Sequence, residues 1–160
     1  MQGTLLTLLF LLTPLLLVLF LRTNAAILFF VLCGASTLQT YLDKDVASFA
    51  GSLFGGSNTR VVSLLLLIVP FIVAAISFRR TVTKSMLFFH MLLSLGVGLS
   101  FVYIVPQFLP PSSLTAIQES DAFILLAPYT SIVIAASFLA SVVLLWTSHP
   151  KHDHHKKHSH

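Results

Sequence analysis

Charged side chains are scarce in this sequence. They make up 9% of its 160 residues, whereas 56% of the residues are hydrophobic. A soluble domain carries roughly 25% charged residues, so this chain could not cover a water-facing surface of its size. The same composition excludes an intrinsically disordered chain and a coiled coil, because both are rich in charge. We therefore expect an integral membrane protein whose apolar segments face the lipid bilayer.

Residues that carry chemistry are also few. Cys33 is the only cysteine, which excludes an intramolecular disulfide, a CxxC redox pair and a cysteine-based zinc site. Five acidic residues leave little for a catalytic carboxylate pair or a carboxylate proton relay. The sequence has no Gly-rich phosphate loop, no GxSxG and no HExxH. We expect neither an enzyme nor a resident cofactor.

Long hydrophobic runs are what the sequence does contain. Crossing a hydrocarbon core of about 30 Å takes about 17–25 apolar residues in a helix. Five runs have about this length, and they predict an all-α bundle of five membrane helices. They cover residues 4–21, 25–42, 61–78, 86–109 and 122–147. We expect one membrane-embedded domain over residues 1–148 and a flexible cytoplasmic tail over 149–160.

The break between the first two runs is short, consisting of Arg22, Thr23 and Asn24. One continuous helix over both runs would be roughly 57 Å long, far longer than the bilayer core. A hairpin is therefore favoured, with Asn24 as the N-cap of the second helix. A cleaved signal peptide would need a basic N-terminal region, but residues 1–4 carry no charged side chain. The first run is predicted to stay as a helix.

The charges divide between the breaks. The first and third breaks and the tail hold seven basic residues and one acid, whereas the second and fourth hold two basic and four acidic residues. Lys and Arg mark the cytoplasmic side of a membrane protein, so we expect the N-terminus outside and the C-terminus inside. In a chain this apolar, the basic balance indicates membrane orientation rather than binding to nucleic acid. Short loops and this bias suit a bacterial or archaeal plasma membrane.

The aromatic residues agree with this orientation. Tyr41, Tyr103 and Tyr129 fall near predicted outer ends of the helices, and Trp146 falls near the inner end of the last one. Amphipathic rings are favoured at such interfacial depths.

The outer connections carry apolar patterns. Val46, Phe49, Leu53 and Phe54 share one face of a helix, which predicts an amphipathic helix lying flat in the outer headgroup region. After the fourth run, two prolines are followed by a predicted short turn. Its cap would be Ser112 or Ser113, and it would carry Leu114 and Ile117.

Small and hydroxyl residues form stripes along the predicted helices. Their helical spacing favours close packing between helices over the alternative, a polar path for a small solute or ion. A path normally uses ionisable or amide groups, which the runs lack apart from one histidine. The stripes are Ser63, Pro70 and Ser77 on the third helix, His90, Ser94 and Gly98 on the fourth, and Thr130, Ser137 and Ser141 on the fifth.

His90 is the only ionisable side chain deep within a run. Buried titratable groups often relay protons or bind ligands. The favoured interpretation is a neutral imidazole that hydrogen-bonds to a neighbouring helix. Haem binding is not expected, because the runs contain no second histidine for its axial position.

The tail is rich in histidine. His152, His154, His155 and His158 could bind zinc, nickel or copper, although their spacing is not that of a defined site. Its lysines could also attract anionic lipid. A solvated tail that helps to fix orientation is the favoured interpretation.

Three functions are compatible with these patterns. The leading one is a non-enzymatic structural or accessory subunit that packs with copies of itself or with larger membrane partners. The second is a small transporter or channel for a metal cation or protons, with His90 in the path. The third is a holin-like protein that permeabilises the membrane.

Overall fold

The computed structural model of the protein describes residues 2–54 and 59–147, and these residues contain helices and short connections but no strand. Short 3₁₀ turns extend the fourth helix at both ends, as Lys84–Met86 and Val105–Phe108, and Ala127–Tyr129 links the last two helices. The α-helices are α1 (Gln2–Leu21), α2 (Ala25–Phe54), α3 (Thr59–Ser77), α4 (Leu87–Ile104), α5 (Pro111–Gln118), α6 (Asp121–Leu126) and α7 (Thr130–Thr147).

Five of the helical segments are long and apolar enough to cross a membrane, as the hydrophobic runs predict. The fourth and fifth of them include the 3₁₀ turns, and the turn at Pro128 divides α6 from α7. The segments are Gly3–Leu21, Ala25–Leu42, Arg60–Ser77, Lys84–Phe108 and Asp121–Thr147.

The first connection ends α1 and starts α2 as predicted. The side-chain Oδ1 of Asn24 accepts a hydrogen bond from the backbone N–H of Ala26 at 3.0 Å. This bond satisfies one of the N–H groups that the first turn of a helix leaves without an intrahelical partner. The prediction of Asn24 as the N-cap is confirmed.

The prediction of a separate helix after the second run is wrong. The structure continues α2 without a break from Ala25 to Phe54, about 45 Å at 1.5 Å per residue. Asp43, Lys44 and Asp45 are polar, but none of them is a Pro or Gly that would end a helix. The side chains of Val46, Phe49, Leu53 and Phe54 are not among those that the structure describes, so their shared apolar face stays a prediction.

The short turn after the fourth run is present as α5, with a different cap. Pro110 occupies the N-cap position, and neither Ser112 nor Ser113 caps the helix. Ile117 is fully buried, and α5 packs on α1. At the end of α5, the hydroxyls of Ser120 and Thr7 lie 3.2 Å apart. This helix therefore covers one end of the bundle.

The helix α4 lies at the centre of the bundle. It contacts α1, α2 and α7, while α3 packs mainly on α2. The ring of Phe101 on α4 lies 5.9 Å from Phe10 of α1 and 5.1 Å from Phe71 of α3, measured between ring centroids. These contacts bring three helices together around one buried ring.

The outer surface of the bundle is apolar. Leucine, valine, isoleucine and phenylalanine side chains are exposed along α1, α3, α4 and α7. An apolar surface of this extent is unfavourable in water and suits the hydrocarbon of a bilayer.

We expect Asn24→Ala to lower the free energy of unfolding by about 1 kcal/mol, because the first turn of α2 loses its cap. Asn24→Ser keeps a capping oxygen and serves as the control. Thermal or denaturant unfolding in detergent micelles would measure both variants. Equal stabilities of the alanine variant and the wild type would contradict a capping role.

Candidate functional site

The small and polar face of α4 is buried in the centre of the bundle. His90, Ser94 and Gly98 are all buried, as the four-residue spacing predicts for one face of a helix. Gly98 lies directly against the backbone carbonyl of Leu11 on α1, where a Cβ atom would overlap it. The absence of a side chain at this position lets the backbones of α1 and α4 approach closely.

A second close contact joins α4 to α7. Gly96 lies against the Ser137 side chain of α7, and an added Cβ would overlap its hydroxyl oxygen. Thr130, Ser137 and Ser141 on α7 are buried. The predicted stripe on the last helix is therefore buried, with Ser137 against α4, and α4 packs closely on two helices at once.

Three hydroxyls of these stripes donate to carbonyl oxygens three or four residues earlier in the chain. Ser94 donates to the carbonyl oxygen of Met91 at 2.6 Å, and Ser141 donates to that of Ser137 at 2.7 Å. Thr130 donates to the carbonyl oxygen of Leu126 at 3.3 Å. These bonds satisfy the hydroxyls without a partner helix, so the residues contribute mainly small volume to the contacts.

The predicted stripe on α3 is only partly buried. Ser63 is buried, whereas Pro70 and Ser77 are exposed on the outer surface of the bundle. The face of α3 that packs inward carries Leu67, Phe71, Ala74 and Ala75 together with Ser63. The i, i+7, i+14 spacing of the predicted stripe drifts around a helix of 3.6 residues per turn. It therefore leaves the buried face, and the structure does not bring Pro70 and Ser77 together with Ser63.

His90 lies in the interior of the bundle, with 2% of its surface exposed. Its Nδ1 atom has no hydrogen-bond partner among the residues that the structure describes. A buried polar atom without a partner is costly, and each such case requires an explanation. The described residues therefore leave one ring nitrogen of the imidazole without a hydrogen bond.

Gln39 on α2 is a buried amide that the sequence reasoning missed. It is 3% exposed, and within the described part of the chain neither of its amide atoms has a hydrogen-bond partner. The sequence spacing indicates this burial, because Gln39 continues the apolar face of Leu28, Leu32 and Ala35 along the helix. The expectation that the apolar runs contain no amide was therefore wrong.

Gln39 and His90 lie at different depths. Their helices both start at the end of the bundle that carries the 22–24 and 78–86 connections. At 1.5 Å of rise per residue, Gln39 is about 21 Å and His90 about 9 Å from that end. The two side chains are separate features and do not form one site.

The described residues contain no group of three His, Cys, Asp or Glu side chains that could hold a metal ion. The histidines proposed as metal ligands, His152, His154, His155 and His158, lie outside the described residues. Metal binding by the tail stays a prediction.

We expect Gly98→Ala to destabilise the bundle by about 1–3 kcal/mol, because the new methyl group must displace the backbone of α1. Gly34 offers a matched control, since it lies in α2 with open space around it. Gly34→Ala should leave the stability unchanged or raise it slightly. Unfolding of both variants in the same micelles would measure the difference, and equal effects would argue against the close contact.

In comparisons with known proteins, no family model, curated protein or solved structure matches this chain.

Proposed function

We propose that this chain is a non-enzymatic structural or accessory subunit of a plasma membrane. It crosses the bilayer five times, with the N-terminus outside, the C-terminus inside and the membrane-embedded domain over residues 1–148. It works by packing against other membrane helices, supplied by further copies of itself or by larger membrane partners.

The arrangement of the connections supports this orientation. The backbone N–H of Arg80 donates to the carbonyl oxygen of Leu21 at 2.8 Å, so the first and third connections meet at one end of the bundle. Four basic residues belong to these connections. They are Arg22, Arg79, Arg80 and Lys84. Shared basic charge at one end agrees with a cytoplasmic position for that end.

The proposal that this chain packs against other membrane helices rests on a groove between α4 and α7. Its volume is about 530 Å³, and its walls are apolar side chains such as Phe89, Leu92 and Val143. Part of its wall consists of small residues, namely Gly96, Ala136 and Ala140. The last helical segment is mostly exposed, so this side of the bundle is open.

Such a groove fits another membrane helix for a physical reason. In a bilayer, lipid tails are as apolar as leucine, so helices associate through close packing at small residues. A ridge of side chains from a second helix would fill the groove and gain contacts that disordered acyl chains make less well. The surface needs no catalytic or charged group to act in this way.

We expect a thiol probe in the groove to capture a neighbouring protein. In a Cys33→Ala background, Ala140→Cys places the probe in the groove, and Leu12→Cys places it on the exposed side of α1. After labelling with a cleavable photoreactive maleimide in native membranes, mass spectrometry would identify the adducts. Abundant protein adducts at Ala140 and few at Leu12 are expected. Lipid adducts alone, or equal capture at both positions, would contradict the proposal.

A transporter or channel is the second candidate, and the unsatisfied polar atoms favour it. The Nδ1 of His90 and the amide of Gln39 are buried without partners among the described residues. Polar groups of this kind inside a membrane bundle often mark a pathway for ions or protons. Because no described residue bonds to the Nδ1 of His90, this nitrogen could bind a metal cation or a proton in the tautomer that leaves it unprotonated.

Flux in liposomes tests this candidate. If it is correct, the reconstituted protein conducts protons or zinc into dye-loaded vesicles, and His90→Ala abolishes most of that flux because the polar group is lost. Cys33→Ala changes a side chain of the bundle that is only partly buried and should leave the flux intact. Absence of flux in the wild type, or the same flux in His90→Ala, would exclude the path.

A further inference from the structure

Three arginines surround one cleft at the end of the bundle where the first and third connections meet. Arg22 comes from the connection between α1 and α2, and Arg79 and Arg80 come from the connection between α3 and α4. Together with Phe20 and Leu21, they line a cavity of about 560 Å³. We call this cavity the arginine cleft.

The backbone holds the two connections together. The N–H of Arg80 donates to the carbonyl oxygen of Leu21 at 2.8 Å, and the N–H of Val82 donates to that of Arg22 at 3.1 Å. The hydroxyl of Thr23 also donates to the carbonyl oxygen of Ala75 at 3.0 Å. These bonds fix Arg22 relative to Arg80, although the two lie far apart in the sequence.

Two of the arginines adopt an unusual backbone conformation. Arg22 has a φ of 51° and Arg80 has a φ of 61°, and in the described part of the chain they are the non-glycine residues with positive φ. Residues other than glycine rarely occupy this left-handed region, and such strain often occurs at ligand clamps. Here both strained positions belong to the same cleft.

The charge of the cleft is not balanced by its walls. None of the described residues that line it is acidic. Asp45 belongs to the distal part of α2, and Asp121 is the first residue of α6, so both lie toward the other end of the bundle. Three guanidinium groups that share one cleft repel one another, so the site favours an anion.

We propose that the arginine cleft binds a phosphate group, carried by an anionic phospholipid or free in solution. A guanidinium group presents paired N–H donors whose geometry matches two oxygens of one phosphate. Phe20 and Leu21 give the cleft an apolar wall beside these donors. A phospholipid would place its phosphate on the arginines and its glycerol and first acyl carbons on this wall. The cleft does not depend on what the α4–α7 groove packs against.

Lipid titration of the full-length protein tests the proposal. Native mass spectrometry would follow binding of phosphatidylglycerol to protein in detergent, with and without competing inorganic phosphate. We expect Arg22→Gln, Arg79→Gln and Arg80→Gln combined to weaken binding at least about tenfold, because the charge-assisted bonds are lost. Arg79→Gln alone, which leaves both strained positions intact, should weaken it less, and it keeps the test valid if the triple variant does not fold.

Two control variants distinguish lipid binding at the arginine cleft from a general attraction of anionic lipid to basic residues. Arg60→Gln removes an exposed arginine from the opposite end of the bundle, and Lys84→Gln removes a cation from the same end but not from the cleft. Both should bind phosphatidylglycerol as the wild type does. Equal losses in Lys84→Gln and Arg79→Gln, or no loss in any variant, would overturn the proposal.

The competition identifies the source of the phosphate. If inorganic phosphate displaces the lipid and raises the melting temperature of the wild type but not of the triple variant, the cleft takes a free phosphate. If the lipid binds through the three arginines and inorganic phosphate has no effect, the cleft takes a phospholipid headgroup. Inorganic phosphate that stabilises the wild type and the triple variant equally, together with unaltered lipid binding, would show that neither uses the cleft.

Discussion

The close approach of α1 and α7 to the two sides of α4 is the contact on which the rest of the bundle depends. Gly98 meets the backbone of Leu11, and Gly96 meets the side chain of Ser137. Side chains at these glycines would push the outer helices away from α4 and separate the rings of Phe10 and Phe101. Because α4 also contacts α2, the positions of most long helices follow from the missing side chains on one of them.

Two kinds of buried polar group in the bundle have different meanings. Ser94 and Ser141 bond to carbonyl oxygens of their own helices, and Thr130 bonds to that of Leu126 at the end of α6. Burying these hydroxyls therefore costs little free energy, which is consistent with packing. His90 and Gln39 keep buried atoms without partners in the described part of the protein. The first kind supports a structural role, while the second supplies the reason to measure transport. The two side chains are about 12 Å apart in depth at 1.5 Å of rise per residue, so they would act separately.

The two ends of the bundle differ in construction. One end joins the 22–24 and 78–86 connections by backbone hydrogen bonds and presents the arginine cleft. The other end is covered by α5, whose Ile117 is fully buried, and joined to α1 through Thr7 and Ser120. The basic residues are therefore concentrated at the end with the short connections. The other end, with the longer connection that contains α5, is covered by an apolar helix. This asymmetry matches the proposed orientation, because cationic loops are retained on the cytoplasmic side of a membrane.

Local features of this protein could be predicted from sequence, since they depend on neighbours along the chain. The five long apolar helices follow from run length, and the cap at Asn24 follows from a side chain beside its own helix. Tertiary structure decided the rest. Pro70 and Ser77 face outward, Gln39 faces inward and Arg22 meets Arg80 across 57 intervening residues. Helical spacing defines which residues share a face, but the face that is buried depends on where the other helices pack.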